Sequence, residues 1–184
     1  MTLRNLVATL FGALALSGLI SSAQAGMEAF HAGPVFPDFG KIASIDSQFP
    51  IPEGTVFKMV LDVSEASKPG ALNRTFESAA RFINMHVDAG VPLENISSAV
   101  VVHGGAALDV TQNSFYQAKR ESDNPNASLI SALTSEDVQI YLCGQSAAYA
   151  GISNKDLLAG VTMARSAMTA HALLQQRGYT LNPF

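Results

Sequence analysis

The residues best suited to chemistry in this chain are few. Cys143 is the only cysteine, in the stretch "VQIYLCGQSAAYAGI". It ends an apolar run and precedes Gly144, Gln145 and Ser146. A thiol there would face the unpaired N–H groups and positive dipole end of a following helix, which favour the thiolate. The thiolate, not the thiol, attacks sulfur and can accept a sulfane atom as a persulfide. Gly144 would leave room for a substrate sulfur beside the backbone, and Ala147 and Ala148 would keep the approach open. His103, at the end of "SSAVVVHGG", is a candidate base or hydrogen-bond partner for the thiol. Gly104 and Gly105 mark a tight strand-to-helix turn, and with Gly144, Gln145 and Ser146 they supply backbone amides for an anion. Asp62, in "FKMVLDV", is a strand-end acid or a solvated turn carboxylate. A lone cysteine also packs well as a small buried hydrophobe, so position alone leaves Cys143 either reactive or inert.

Other chemistries lack their residues. His31, His86 and His171 fall on separate elements without ligand spacing, and one cysteine builds no zinc pattern, so no metal site is expected. There is no dinucleotide or Walker glycine loop and no G-x-S-x-G, so no cofactor is expected. The net charge of −4 gives no basic footprint for nucleic acid or anionic lipid. Hydrophobic content of 48% against 14% charged is ample for a packed core in one domain of this 184-residue chain.

The amino-terminal residues "MTLRNLVATLFGALALSGLISSAQAG" read as a cleavable signal peptide over residues 1–25. Arg4 gives the positive region, Leu6 to Ile20 the apolar core, and Ala23-Gln24-Ala25 the small-x-small site before Gly26. The mature protein is then expected in an exported compartment, with a bacterial periplasm favoured, and free of the membrane after cleavage. An oxidising compartment normally pairs thiols. An odd cysteine there implies a reactive thiol, a sheltered core thiol or an intermolecular disulfide. The triplets at Asn73, Asn95 and Asn126 match a glycosylation pattern that is common by chance.

The elements that would position these residues follow from periodicity and punctuation. Residues 26–53 carry Pro34, Pro37, Pro50 and Pro52, which forbid a long helix, but also Val35, Phe36, Phe39 and Ile42. They read as an arm that wraps onto the body or onto a neighbouring subunit. Residues 54–184 form the domain. Strands are expected at 55–63, 97–103, 138–143 and in "YTLNPF". Lys58 suggests an exposed edge or a snorkelling side chain. Helices are expected at 70–90, at 106–121, from Asn124 with Pro125 at its first position, and over 153–178 as the longest. Alternation of this kind predicts an α/β domain with a mostly parallel sheet and helices on both faces. Ligands of such sheets bind beyond the carboxyl ends of the strands, where Asp62, His103 and Cys143 would gather.

The segments "FKMVLDV", "SSAVVVHGGA", "VQIYLCGQSAAYAGI" and "QQRGYTLNPF", in that order and spacing, resemble the DsrE/DsrF-like proteins, in particular an exported single-domain branch. The resemblance covers Phe57 to Phe184. It implies a three-layer α/β/α fold with about five strands, and a homo- or hetero-oligomer, often trimeric or hexameric. In sulfur-relay members a cysteine at this strand end carries sulfane sulfur to a partner thiol, a sulfurtransferase-type carrier activity. The matching positions are Cys143 and Gly151. The relay members are cytoplasmic, whereas this chain reads as exported, and "CGQSAAYAGI" differs at most intervening positions. The alternative is a non-catalytic oligomeric binding module with Cys143 buried.

Overall fold

The protein is described by a computed structural model covering residues 26–183; the expected signal peptide, residues 1–25, and Phe184 lie outside the described residues. Five strands form one wholly parallel sheet: β1 (Phe57–Val63), β2 (Ile96–Val102), β3 (Gln139–Cys143), β4 (Val161–Ala164) and β5 (Thr180–Asn182). Their spatial order is β4-β3-β2-β1-β5. The helices are α1 (Arg74–Asp88), α2 (Asn113–Arg120), α3 (Ala127–Ser135), α4 (Gly144–Ala150) and α5 (Ala167–Gln176). Among the described residues, no helix is long and apolar enough to cross a membrane.

The handedness of parallel crossovers explains the layers. Each step from β1 to β4 moves one way across the sheet, and the last connection returns to the far side of β1. Right-handed crossovers running in opposite directions must place their helices on opposite faces. Accordingly α1, α3 and α4 pack Phe76, Ala80, Ile83, Leu129, Leu133 and Ala147 against Leu61, Val63, Val100, Val102 and Leu142. On the other face α5 alone packs Ala170 and Leu174 against Val60, Ala99 and Val101. Strand alternation puts Asp62 on the face of Val60, and Cys143 on the face of Tyr141 beneath α5.

Several boundaries follow the expected signals. Asn73 caps α1, its side chain accepting from the Thr75 amide, and Gly90 follows the helix end. β2 is buried through its last five residues, as a central parallel strand should be. Lys58 is explained by snorkelling and not by an edge: β1 lies between β2 and β5, and Nζ reaches the Arg177 carbonyl at 3.2 Å. The third helix begins at Ala127 after Asn126, later than Asn124 and Pro125 suggest, because the Asn124 side chain accepts from the Asn126 amide and forms its own turn. The segment 106–121 is divided: a 3-10 helix (Gly104–Val110) and α2, separated where Thr111 bridges to Leu157.

The long helix expected over 153–178 is not formed. A 3-10 turn (Asn154–Asp156), β4 and α5 occupy that span. Gly160 sits at φ +84°, and a Cβ there would lie 2.7 Å from the Thr134 side chain, so the chain turns sharply at a residue that must be glycine. Ser166 then caps α5 by accepting from the Thr169 amide.

The arm packs onto the body. His31 and Ile42 form an antiparallel bridge, and Phe36 and Ile42 are buried. Asn84, fully buried on α1, holds the arm: Oδ1 accepts from the Val35 and Phe36 amides, and Nδ2 donates to the Phe36, Phe39 and Gly40 carbonyls.

Candidate functional site

The carboxyl ends of β1, β2 and β3 are neighbours, and they bring Asp62, His103 and Cys143 to one edge of the sheet. Cys143 pairs in register with Ala164 of β4. At this point the connection after β3 passes to one face, through α4, and the connection after β4 passes to the other, through α5. This is the topological switch point, where open α/β sheets form their ligand crevice.

The consequence for the thiol is direct. Burial pushes Cys143 up, but four donors stand against it: the Ser146 amide, the Ser146 hydroxyl, the Ala167 amide and the Gln145 amide. Together they hold the thiol below its ordinary range. Amides from the first turns of both α4 and α5 therefore meet one sulfur, each stabilising the anion. Ser146 is fixed in turn, because its Oγ accepts from the Gly104 amide at 2.9 Å, leaving its own proton for the sulfur. Cys143 is 6% exposed, so the sulfur is sheltered as well as activated.

The glycines beside it have packing reasons. A Cβ on Gly144 would lie 2.7 Å from the Ala164 carbonyl oxygen, so that glycine admits the end of β4 and leaves no space there for a substrate sulfur. Ala147 faces the core at 1% exposure; Ala148 is exposed. Gly104 has φ +54°, and a Cβ on Gly104 or Gly105 would lie 3.1 or 3.4 Å from the Ser64 carbonyl oxygen, so this pair forms a tight turn. The Gln145 side chain donates to the Arg165 carbonyl at 3.3 Å.

His103 is engaged by an acid. Its Nε2 donates to Asp62 at 3.0 Å, and Nε2 of His171, from α5, donates to the other Asp62 oxygen at 2.7 Å. Burial pushes Asp62 up, but the hydrogen bonds from His103 and His171, with a smaller Coulombic contribution from the same rings, outweigh it and hold the carboxyl below the usual carboxylate range. Asp62 is thus no solvated turn carboxylate, and His171, isolated in sequence, is joined to the site. A cavity of about 770 Å³ opens beside this carboxylate, lined by Ser64, Glu65, Lys68, Arg74 and Thr75 among others. Cys143 does not line it. Among the described residues no cluster of His, Cys, Asp and Glu could hold a metal ion.

The sequence pattern of the DsrE/DsrF-like family matches residues 58–183, more than half of the chain. The chain belongs to the DsrE/DsrF-like family. Two solved structures share the fold. A protein of unknown function from Methanobacterium thermoautotrophicum, MTH1491, is 19% identical, with a TM-score of 0.54 over 70% of this chain and 99% of that one. The ychN protein of E. coli is 18% identical, with a TM-score of 0.51 over 70% of this chain and all of that one. No curated protein matches significantly. The five-stranded parallel sheet with helices on both faces is the DsrE-like α/β fold that family membership implies, and a sulfur-related role is in keeping with it.

Proposed function

We propose that this DsrE/DsrF-like protein is an exported sulfur carrier in which Cys143 accepts sulfane sulfur as a persulfide. The observation that carries the reading is the convergence of the Ser146, Gln145 and Ala167 amides and the Ser146 hydroxyl on one thiol. Donors so placed stabilise the attacking thiolate and also the persulfide anion it becomes. With a donor R–S–SH, the Cys143 thiolate attacks the outer sulfur. The new Cys143 S–S bond forms as the donor's own S–S bond breaks, the proton stays with the transferred sulfur or goes to water, and R–S⁻ leaves. Sulfane sulfur moves from one thiol to another without net oxidation. His103, the residue after β2 as Cys143 is the last of the neighbouring β3, would be the assisting group. Export is supported by the positive residue Arg4, the apolar run Leu6 to Ile20 and the small-x-small site at Ala23-Gln24-Ala25.

Intact mass after incubation with a polysulfide donor tests the proposal. Wild type should gain about 32 Da per sulfur, and Cys143→Ser should not. Equal uptake by both, or none by either, sinks the carrier. Fractionation of the native host, with the mature chain beginning at Gly26, tests export; an unprocessed chain in the cytoplasm overturns it.

One observation favours a second reading, a binding module with a structural thiol: Cys143 is 6% exposed. That reading expects native-state alkylation slower than alkylation of the unfolded chain by orders of magnitude. The carrier expects rapid native labelling, with burial relieved by small movements of the α4 and α5 termini. We also propose a homo-oligomer. Tyr149 and Met168, on the two helices that meet Cys143, are 96% and 79% exposed and offer apolar surface for it. Light scattering that shows a monomer at micromolar concentration removes this part.

A further inference from the structure

We propose that Asp62 is a positioning residue for Cys143, a clamp that holds α5, whose Ala167 amide reaches the sulfur, and the loop after β2, whose Gly104 amide fixes Ser146. The inference rests on reading Cys143 as a reactive thiol.

Both oxygens of Asp62 lead to the sulfur by short paths. The first runs through α5. Oδ1 accepts from His171 at 2.7 Å. His171 lies four residues after Ala167, so the two share a face of α5, one turn apart. Ala167 supplies the one donor to Cys143 that comes from beyond β4. Its position depends on the pitch and depth of the first turn of α5. The Ser166 cap and the packing of Ala167 and Ala170 hold that turn against the sheet. The bond from His171 to β1 is the restraint that ties the next turn of the helix to the strand carrying Asp62. It also explains why a histidine is accepted there with Nδ1 buried and unpartnered. A bridging carboxylate fixes the proton of His171 on Nε2, so the buried Nδ1 presents a lone pair and no orphaned proton.

The second path runs through β2. Oδ2 of Asp62 accepts from His103 at 3.0 Å. The next residue, Gly104, donates its amide to Ser146 Oγ at 2.9 Å. That bond occupies an oxygen lone pair of Ser146 and turns its proton toward Cys143, where the hydroxyl donates. One carboxylate thus restrains one element that carries a donor to the sulfur and one that fixes a second donor, without touching the sulfur itself.

The clamp predicts an effect opposite in sign to that of charge alone. Removing a nearby negative charge stabilises a thiolate and makes the thiol more acidic. Releasing the clamp withdraws donors and makes it less acidic. The test is the rate of Cys143 alkylation by iodoacetamide against pH, on the folded full-length mature protein, with thermal melting to confirm the fold. Asp62→Ala should move the midpoint of the profile upward by about one pH unit, a roughly tenfold loss of thiolate near neutrality. Asp62→Glu should recover part of it. His171→Asn severs only the α5 path and should give a smaller upward shift, so it carries the test if Asp62→Ala melts early. A midpoint that is unchanged or lower in folded Asp62→Ala or His171→Asn overturns the clamp. Sulfur uptake is scored separately. An upward shift in a wild-type background that takes up no sulfur leaves the clamp standing and sinks the carrier; sulfur uptake with no shift does the reverse.

Discussion

Two carboxylates near the carboxyl edge of the sheet have opposite surroundings. Asp109 is 1% exposed and is held by groups that do not titrate in the physiological range: the Ser67 amide and hydroxyl and the Asn73 side-chain amide. Around it Asn124 donates to the Asp109 and Thr111 carbonyls, and Asn126 accepts from the Asn73 amide. Asp62 is a third exposed and is held by two imidazoles. The first cluster is saturated with hydrogen bonds and its carboxylate is enclosed, which suits a staple that fixes the loop after β1 and the start of α1. The second is reachable, titratable and tied to the elements around Cys143. A buried charge with complete hydrogen bonding reports stability, whereas a half-buried one between histidines at a switch point reports chemistry. The same contrast disposes of the triplets at Asn73 and Asn126 as glycan acceptors, since both side chains are consumed inside the staple.

The comparison can be broken most forcefully at Asp109. Asp109→Ala would leave the Ser67 amide without its acceptor and the Asn73 side-chain amide with one of its two, at a position only 1% exposed. We expect a loss of about 3 kcal/mol or more in denaturant unfolding, with any surviving folded protein keeping the wild-type alkylation midpoint at Cys143. A staple variant that shifted that midpoint would merge the two clusters into one.

Gly144→Ala should cost roughly 1–3 kcal/mol, because a methyl 2.7 Å from the Ala164 carbonyl forces β4 away from β3. Unlike the Asp109 change, it should also slow sulfur uptake, since it moves the terminus of α5. Thermal unfolding and the intact-mass assay read the two effects.

Ser146→Ala removes a donor to the sulfur and the acceptor of the Gly104 amide. Stability should change by about 1 kcal/mol. The alkylation midpoint should rise, because the folded thiol is held down partly by that hydroxyl. An unchanged midpoint would mean that the amides alone activate Cys143.

The smallest effect is the acid dependence of Asp62. Its folded value lies below its unfolded one, so the stability it adds is complete above the ordinary carboxylate range and disappears as pH falls through the folded value. Wild type should therefore exceed Asp62→Asn by no more than about 1 kcal/mol near pH 6, given the exposure of the pair. That gap should close below about pH 4. A gap that widened in acid would assign the stabilising role to another group.

Much of this fold was legible because its signals are local. Continuous apolar runs marked β1, β2 and β3, the i, i+3, i+4 spacing of Phe76, Ala79, Ala80 and Ile83 marked α1, and Asn73 and Gly90 marked its ends. The placement of Cys143 as the last residue of β3, directly before a helix, followed from the same punctuation. β4 did not announce itself, because four residues are too few to show a period, and Leu157, Val161 and Ala164 mimic helical spacing. Gly160, and Ser166 three residues before Thr169, were the available cues to a turn and a new cap.

The sequence by itself determined the strand-end thiol, the strand-end histidine and the α/β alternation, since each depends on residues adjacent in the chain. Only the tertiary structure decided that His171 joins Asp62 across a separation of 109 residues, that the amides of two helices share one sulfur, and that Gly144 admits a strand and not a substrate. Those facts depend on the reversal of crossover direction after β4. That reversal arises from how the last helix packs on the uncovered face of the sheet, a long-range outcome that no local pattern encodes.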